Sequence, residues 1–151
     1  MLLHFAYGSN MDRALMRRHC PQGRALGIAT LDRHRFIINS DGYASIVPER
    51  RAVVHGVLWR LSDRDVVTLD AYESIATGLY RRETMMVRAH NRPVSAMVYI
   101  GRAARPGAPR PGYLDIVTTA ARDWKLPADY VMALARWDGR AGLPANSEGV
   151  A

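Results

Sequence analysis

The stretch Leu2-Leu3-His4-Phe5-Ala6-Tyr7-Gly8-Ser9-Asn10, continuing as Met11-Asp12-Arg13-Ala14-Leu15-Met16-Arg17-Arg18-His19, decides how the chain folds. Residues 2–7 are apolar and partly aromatic and stop at three consecutive turn formers, so they predict a buried strand that runs into a tight turn. Beyond the turn, Met11, Leu15 and Met16 recur at helical spacing. Ser9 or Asn10 is available as the N-cap, and Asp12 sits near the positive end of the helix. The chain therefore opens with a strand, a turn and a short helix, which Pro21 and Gly23 bring to an end.

Outward from this unit, residues 25–31, 35–38 and 43–47 read as three short strands punctuated by Asp32, by the cluster at 39–42 and by Pro48. A longer strand follows at 53–61 and carries Trp59. Ser62 with Asp65 three residues later makes a capping box, and Val66 and Leu69 supply an apolar face for a helix of about three turns that ends near Tyr72 and Glu73. Residues 79–89 and 94–100 read as two further strands around a turn at Asn91 and Pro93. Three prolines and three glycines make 101–112 a long surface loop, because both residues break regular structure. Residues 113–124 and 128–137 are amphipathic and helical, separated by Leu126-Pro127. Short strands with helices gathered toward the C-terminal end predict an α+β fold, with a mixed, barrel-like sheet of five to seven strands and flanking helices. The domain is expected to cover 1–138, with a flexible tail at 139–151.

A chain of 151 residues is long enough for one sizeable core and too short for two. Its 48% hydrophobic and 23% charged residues are those of a folding chain rather than a disordered one. No apolar window approaches the length of a membrane span, and the first residues lack the basic start of a secretory signal. A protein of the cytoplasm that touches no membrane is expected. Cys20 is the single cysteine, which excludes an internal disulfide and any multi-cysteine metal site. The net charge of +7 raises the question of nucleic acid, but the basic residues are scattered, and all except Lys125 are arginine. No specific nucleic-acid partner is expected. A small-molecule substrate is, in a monomer or homodimer.

Familiar catalytic signatures are absent. His4, His19, His34, His55 and His90 never fall at the i, i+4 spacing of a helical metal pair, so no metal is expected and each reads as a surface or core histidine. Neither a nucleophile elbow, a Walker lysine loop nor a dinucleotide fingerprint occurs. What remains is Tyr7-Gly8-Ser9-Asn10, whose main-chain N–H groups can bind an oxyanion where a strand runs into a helix, with Gly8 allowing positive φ and close approach. As a structural element alone, the same string is a turn and a helix cap. Glu73 sits where a helix gives way to a strand amid Leu69, Tyr72, Ile75 and Tyr80, and apolar company raises a carboxyl's pKa toward the range useful for proton transfer; by position alone it reads more simply as a solvated glutamate at a helix end. Tyr80, Tyr99 and Tyr113 lie on different elements and are candidates to line one cavity, though tyrosine is equally routine as core filler with its hydroxyl at the surface.

Taken in order, these pieces resemble the gamma-glutamylcyclotransferase family. Phe5-Ala6-Tyr7-Gly8-Ser9-Asn10 resembles its opening signature and His55-Gly56-Val57-Leu58-Trp59 its central strand. Leu69-Asp70-Ala71-Tyr72-Glu73 with Gly78-Leu79-Tyr80 resembles the segment that contains its catalytic glutamate. Pro109-Arg110-Pro111-Gly112-Tyr113 and Leu126-Pro127-Ala128-Asp129-Tyr130 resemble its C-terminal helices. The resemblance implies release of 5-oxoproline from a γ-glutamyl compound without a cofactor. It implies Glu73 as general base and acid, and Tyr7, Gly8, Ser9, Asn10, Tyr80, Tyr99 and Tyr113 as substrate-binding residues. Arginines of the 102–110 loop are then candidates to attract a carboxylate on the leaving group. Ser74 stands where many relatives carry glycine. A non-catalytic metabolite-binding domain on the same fold is the alternative.

Overall fold

Five strands, β1 (Leu2–Ala6), β2 (Arg24–Ile38), β3 (Ala44–Leu61), β4 (Tyr80–Ala89) and β5 (Arg92–Gly101), close into a barrel in the order β1-β3-β2-β4-β5. The computed structural model describes residues 1–138, so the flexible tail expected at 139–151 lies outside the described residues. Four helices, α1 (Arg13–His19), α2 (Asp63–Tyr72), α3 (Tyr113–Asp123) and α4 (Ala128–Ala135), flank the sheet, with single 3-10 turns at Ser9–Met11 and Ile75–Thr77. The α+β barrel read from the sequence is thus the observed architecture.

β1 has neighbours on both sides. It runs antiparallel to β3, from Leu2 opposite Leu61 to Ala6 opposite Val57, and parallel to β5, where His4 faces Met97. A strand paired on both edges and facing core on one side must be apolar, and Phe5, Val57, Leu61 and Val98 have no exposed surface. The strand directions gather the C-terminal ends of β1 and β5 with the N-terminal ends of β3 and β4 at one end of the barrel.

Asp32 and Pro48 do not end strands, as the sequence suggests. Residues 25–31 and 35–38 belong to one strand, β2, and 43–47 and 53–61 to one strand, β3, apart from Tyr43. The turn formers mark an irregularity inside the hairpin instead. Pairing jumps from Asp32 opposite Val53 to His34 opposite Pro48, and Arg33 between them takes φ 58°. Such a bulge bends both strands without ending them, and Pro48 is tolerated because the described pairing of β3 to β1 is confined to Val57–Leu61, which leaves Pro48 an edge position. The β4–β5 turn is tighter than expected: His90 and Asn91 both have positive φ, the signature of a two-residue hairpin, and Pro93 falls inside β5.

The first helix is also capped differently. Asp12, not Ser9 or Asn10, accepts from the Leu15 amide at 3.3 Å, and Ser9–Met11 form a separate 3-10 turn with no side-chain cap. The two side chains predicted as caps are therefore free for other partners. The box at Ser62 and Asp65 is present as read, each side chain accepting from the other residue's amide at 3.1 Å. The proline- and glycine-rich loop is fastened to the β2–β3 turn rather than lying loose on the surface: Asn39 and Pro106 form a β-bridge, and the Gly107 amide donates to Ile38 O at 2.8 Å.

Gly56 marks the tightest crossing of the barrel wall. A Cβ there would run into the Ala6 carbonyl oxygen and approach the Phe5 ring at 2.9 Å. Because neither the backbone nor a fully buried ring can move cheaply, Gly56→Ala is expected to cost about 2–3 kcal/mol in urea unfolding.

Candidate active site

The site is assembled at the barrel end where the strand termini gather. α2 stops at Tyr72, and the Glu73 amide still donates to Leu69 O at 2.9 Å. Ser74 then turns left-handed, with φ 55° and ψ 46°, and its amide bonds to Ala71 O at 3.1 Å. A left-handed residue just past a helix reverses the chain, which is the usual job of glycine. The reversal sends the backbone into β4 and leaves the Glu73 side chain beside the turn that follows β1. There Asn10 Nδ2 donates to Glu73 Oε2 at 2.7 Å.

Tyr7, Gly8, Ser9, Asn10, Glu73, Tyr80, Tyr99 and Tyr113 all line one chamber, with His4, Phe5, Ala6 and Ala44 completing its wall. Its empty volume is about 300 Å³ including the mouth. A second hollow of about 490 Å³ shares Ser9, Glu73, Tyr80 and Tyr113 with it and adds Tyr43, Tyr72, Ser74 and Leu79. Glu73 stands where the two meet. The amide N–H groups of Gly8, Ser9 and Asn10 donate to no other main-chain group among the described residues, whereas those of Met11 and Asp12 close the 3-10 turn onto Gly8 O and Ser9 O.

Gly8 has φ −118°, so a positive φ is not why glycine stands here. Close approach is the reason: a Cβ would lie 2.9 Å from Ala44 Cβ and 3.1 Å from Tyr113 Oη. The tyrosines are anchored through their hydroxyls. Tyr7 donates to Tyr99 O at 2.6 Å, Tyr80 donates to Ala44 O, Tyr99 donates to Asp70 Oδ1 at 2.7 Å, and Tyr113 Oη accepts from the Ala44 amide at 3.1 Å. Burial pushes all four phenols above their ordinary range, so they stay neutral at physiological pH.

Glu73 differs from them. Desolvation raises its carboxyl to about 7, against the lowering effect of the Asn10 hydrogen bond and with a further rise from the negative charge of Asp70. A carboxyl at that value exchanges its proton readily near neutrality. His4, read from the sequence as an ordinary surface or core histidine, lies on the chamber wall with 1% of its surface exposed. Its Nδ1 sits 3.1 Å from Met97 O, and burial lowers its pKa to about 4, which leaves the ring neutral. A lone polar residue inside an otherwise apolar strand was the signal that could have found it.

The loop arginines are largely committed. Arg102 forms an ion pair with Asp41 at 3.1 Å. Arg110 donates to Asp41 O at 2.9 Å and places its guanidinium 4.7 Å above the Tyr43 ring, so Arg110 alone reaches the wall of the outer hollow through an aromatic neighbour. Among the described residues no group of three or more His, Cys, Asp or Glu is placed to hold a metal ion. No described helix is long and apolar enough to cross a membrane.

The barrel end thus holds one carboxyl titrating near neutrality beside the main-chain amides of residues 8–10, which have no main-chain partner among the described residues. Residues 4–126 match the family described as Gamma-glutamyl cyclotransferase, AIG2-like. Human gamma-glutamylcyclotransferase is 23% identical over 139 residues, covering 85% of this chain and 74% of its own. A solved structure of a gamma-glutamyl cyclotransferase superposes with a TM-score of 0.81 at 23% identity, covering 89% of this chain and 86% of that one. YkqA from Bacillus subtilis gives the same TM-score and identity over 95% of this chain and 56% of its own. The chain belongs to the gamma-glutamyl cyclotransferase, AIG2-like family.

Two measurements follow from this geometry. The left-handed backbone of Ser74 costs a residue with a Cβ about 1 kcal/mol or more, partly offset in glycine by the entropy of the unfolded chain. Ser74→Gly should therefore stabilise the protein by about 0.5–1 kcal/mol in chemical denaturation. Glu73 holds its proton more tightly folded, at about 7, than at its ordinary value of 4.5. Its contribution to stability is complete below pH 4.5 and is lost as pH rises through about 7. A pH series of unfolding free energies should show that decline in the parent and a flatter profile in Glu73→Gln.

Proposed function

We propose that this protein releases 5-oxoproline from a γ-glutamyl compound by intramolecular attack of the substrate's α-amine on its own γ-carbonyl. The observation that carries the reading is a carboxyl with a pKa of about 7, held 2.7 Å from Asn10 in the same chamber as the unused amides of the Gly8–Asn10 turn. Ring closure keeps nucleophile and electrophile in one molecule, and well-oriented intramolecular attack lowers the barrier by roughly 7–11 kcal/mol relative to a bimolecular step. Three tasks are left for the protein: to take a proton from the α-ammonium, to stabilise the tetrahedral oxyanion, and to protonate the departing amine.

Glu73 performs the first and third tasks in sequence. The carboxylate accepts a proton of the α-ammonium as the freed amine attacks the γ-carbon, and it gives that proton to the leaving nitrogen as the carbon–nitrogen bond breaks; the second proton that the attacking nitrogen sheds in becoming a lactam N–H is carried the same way, so the amine departs as an ammonium. One carboxyl near neutrality suits both halves, since it is neither too weak a base to take the proton nor too weak an acid to give it. The oxyanion is met by the main-chain N–H groups of Gly8, Ser9 and Asn10. Main-chain dipoles fixed by the fold before the reaction begins cost no reorganisation when charge develops. Tyr7, Tyr80, Tyr99 and Tyr113 shape the glutamyl chamber. The departing amine leaves through the outer hollow past Tyr43, Tyr72 and Leu79.

The test is 5-oxoproline release from a panel of γ-glutamyl amino acids and amines. Glu73→Gln keeps the size and an acceptor oxygen but carries no exchangeable carboxyl proton, and turnover should fall by about 10²–10⁴-fold. In the parent, kcat/KM should fall as pH drops below about 7, because the base is then protonated. Full activity in Glu73→Gln removes Glu73 from the reaction. Thermal stabilisation by γ-glutamyl compounds with no product formed would mark a metabolite-binding domain instead.

A further inference from the structure

Two buried side-chain atoms on the chamber wall, His4 Nε2 and Asn10 Oδ1, have no hydrogen-bond partner in the structure. Both are acceptors. The Met97 carbonyl can only accept from His4, so Nδ1 carries the imidazole proton and Nε2 of the neutral ring is a bare lone pair. The Glu73 carboxylate can likewise only accept from Asn10, so the amide nitrogen faces it and the amide oxygen is left over. Buried polar atoms are nearly always paired, so two orphans of one kind in one chamber call for a ligand that brings donors. A carboxylate there would face lone pairs. A primary ammonium, with three N–H donors and no lone pair, matches them in hydrogen-bond type.

The geometry of Asn10 says where that ammonium sits. The oxygen and nitrogen of a carboxamide share one carbon, so a group that donates to the Oδ1 lone pair on the Nδ2 side lies beside the Glu73 oxygen that Nδ2 holds at 2.7 Å. Resting on the cyclotransferase reading above, we propose that Asn10 is a two-sided positioning residue. Its Nδ2–H holds the Glu73 carboxylate, and its Oδ1 accepts from the α-ammonium of the γ-glutamyl substrate, which sets the amine beside the oxygen that takes its proton. One ammonium proton passes to Glu73, and a second N–H stays on Oδ1 while the freed lone pair attacks the γ-carbonyl. The specificity that follows is for γ-glutamyl compounds with an unmodified primary amine, because a deamino or N-acyl analogue offers Oδ1 no ammonium.

The experiment crosses the side chain with the amine. Binding of γ-glutamylalanine and of glutarylalanine, the same molecule without its α-amine, is measured by calorimetry in Glu73→Gln, which keeps an acceptor for Nδ2, and in Glu73→Gln with Asn10→Ala. Asn10→Ala should weaken γ-glutamylalanine at least tenfold and glutarylalanine less than twofold. Equal losses for the two ligands, or no loss for either, overturn the proposal. If Asn10→Ala fails to fold, the isosteric Asn10→Asp, which keeps an acceptor oxygen, should preserve the preference for the amine, and loss of that preference overturns the proposal. In the Glu73 background, loss of the Nδ2 donor should also move the acid limb of kcat/KM upward from about pH 7, a shift that mere loosening of the turn would not produce. The cyclotransferase reading fails separately: wild-type protein that binds with amine preference but forms no 5-oxoproline retains the Asn10 contact and loses the reaction, whereas binding of neither ligand removes both.

Discussion

The hydrogen bond from Asn10 Nδ2 to Glu73 Oε2 joins two segments 63 residues apart in the chain. A carboxyl in that position is costly to desolvate, and its proton affinity rises accordingly. A neutral amide is the partner that suits it. An arginine or lysine would hold the acid ionised far below neutrality, and an apolar neighbour would leave it with no orientation at all. An amide fixes one oxygen and lowers the proton affinity only in part, so the acid keeps a pKa of about 7.

The barrel exists, in this view, to bring those two segments together. β1 must be parallel to β5 and antiparallel to β3 for its C-terminal turn to emerge beside the start of β4. The helix between β3 and β4 then has to end one residue before the acid, and Ser74 has to reverse the chain. Side chains that the sequence offers as caps are diverted to this purpose. Asp12 takes over the helix start, Asn10 turns to Glu73, and Ser9 Oγ lies 3.4 Å from the Tyr72 hydroxyl.

Local chemistry makes much of this legible in the sequence. Residues 2–10 announced a strand and turn because apolar side chains stopped at three turn formers, and Ser62 with Asp65 announced a helix because the capping box needs only near neighbours. Position alone reads Glu73 as a solvated helix-end residue, and the resemblance of residues 69–73 and 78–80 to a family segment singles it out; its burial beside Asn10 comes from the packing of the β1 turn against the end of α2. Other features depend on partners distant in sequence. Asp32 and Pro48 look alike whether they end a strand or bend one, and only the facing strand decides. Ser9 and Asn10 are good caps by residue type, and the competition with Asp12 is settled by where α2 deposits its acid. The burial of His4 in the chamber wall depends on a parallel neighbour 93 residues away.

The hydroxyls of the chamber tyrosines have a mechanical consequence. Tyr7 on the turn after β1 grips β5, Tyr80 at the head of β4 grips β3, and Tyr113 at the head of α3 grips that same residue of β3, Ala44. Each phenol is thus a rigid strut whose far end is bolted to the main chain of a wall strand, Tyr7 to β5 and the other two to β3. The span of the hollow is then dictated by the fixed length of a tyrosine side chain rather than by how the helices settle around it, and a guest molecule meets a gauge already set before it arrives.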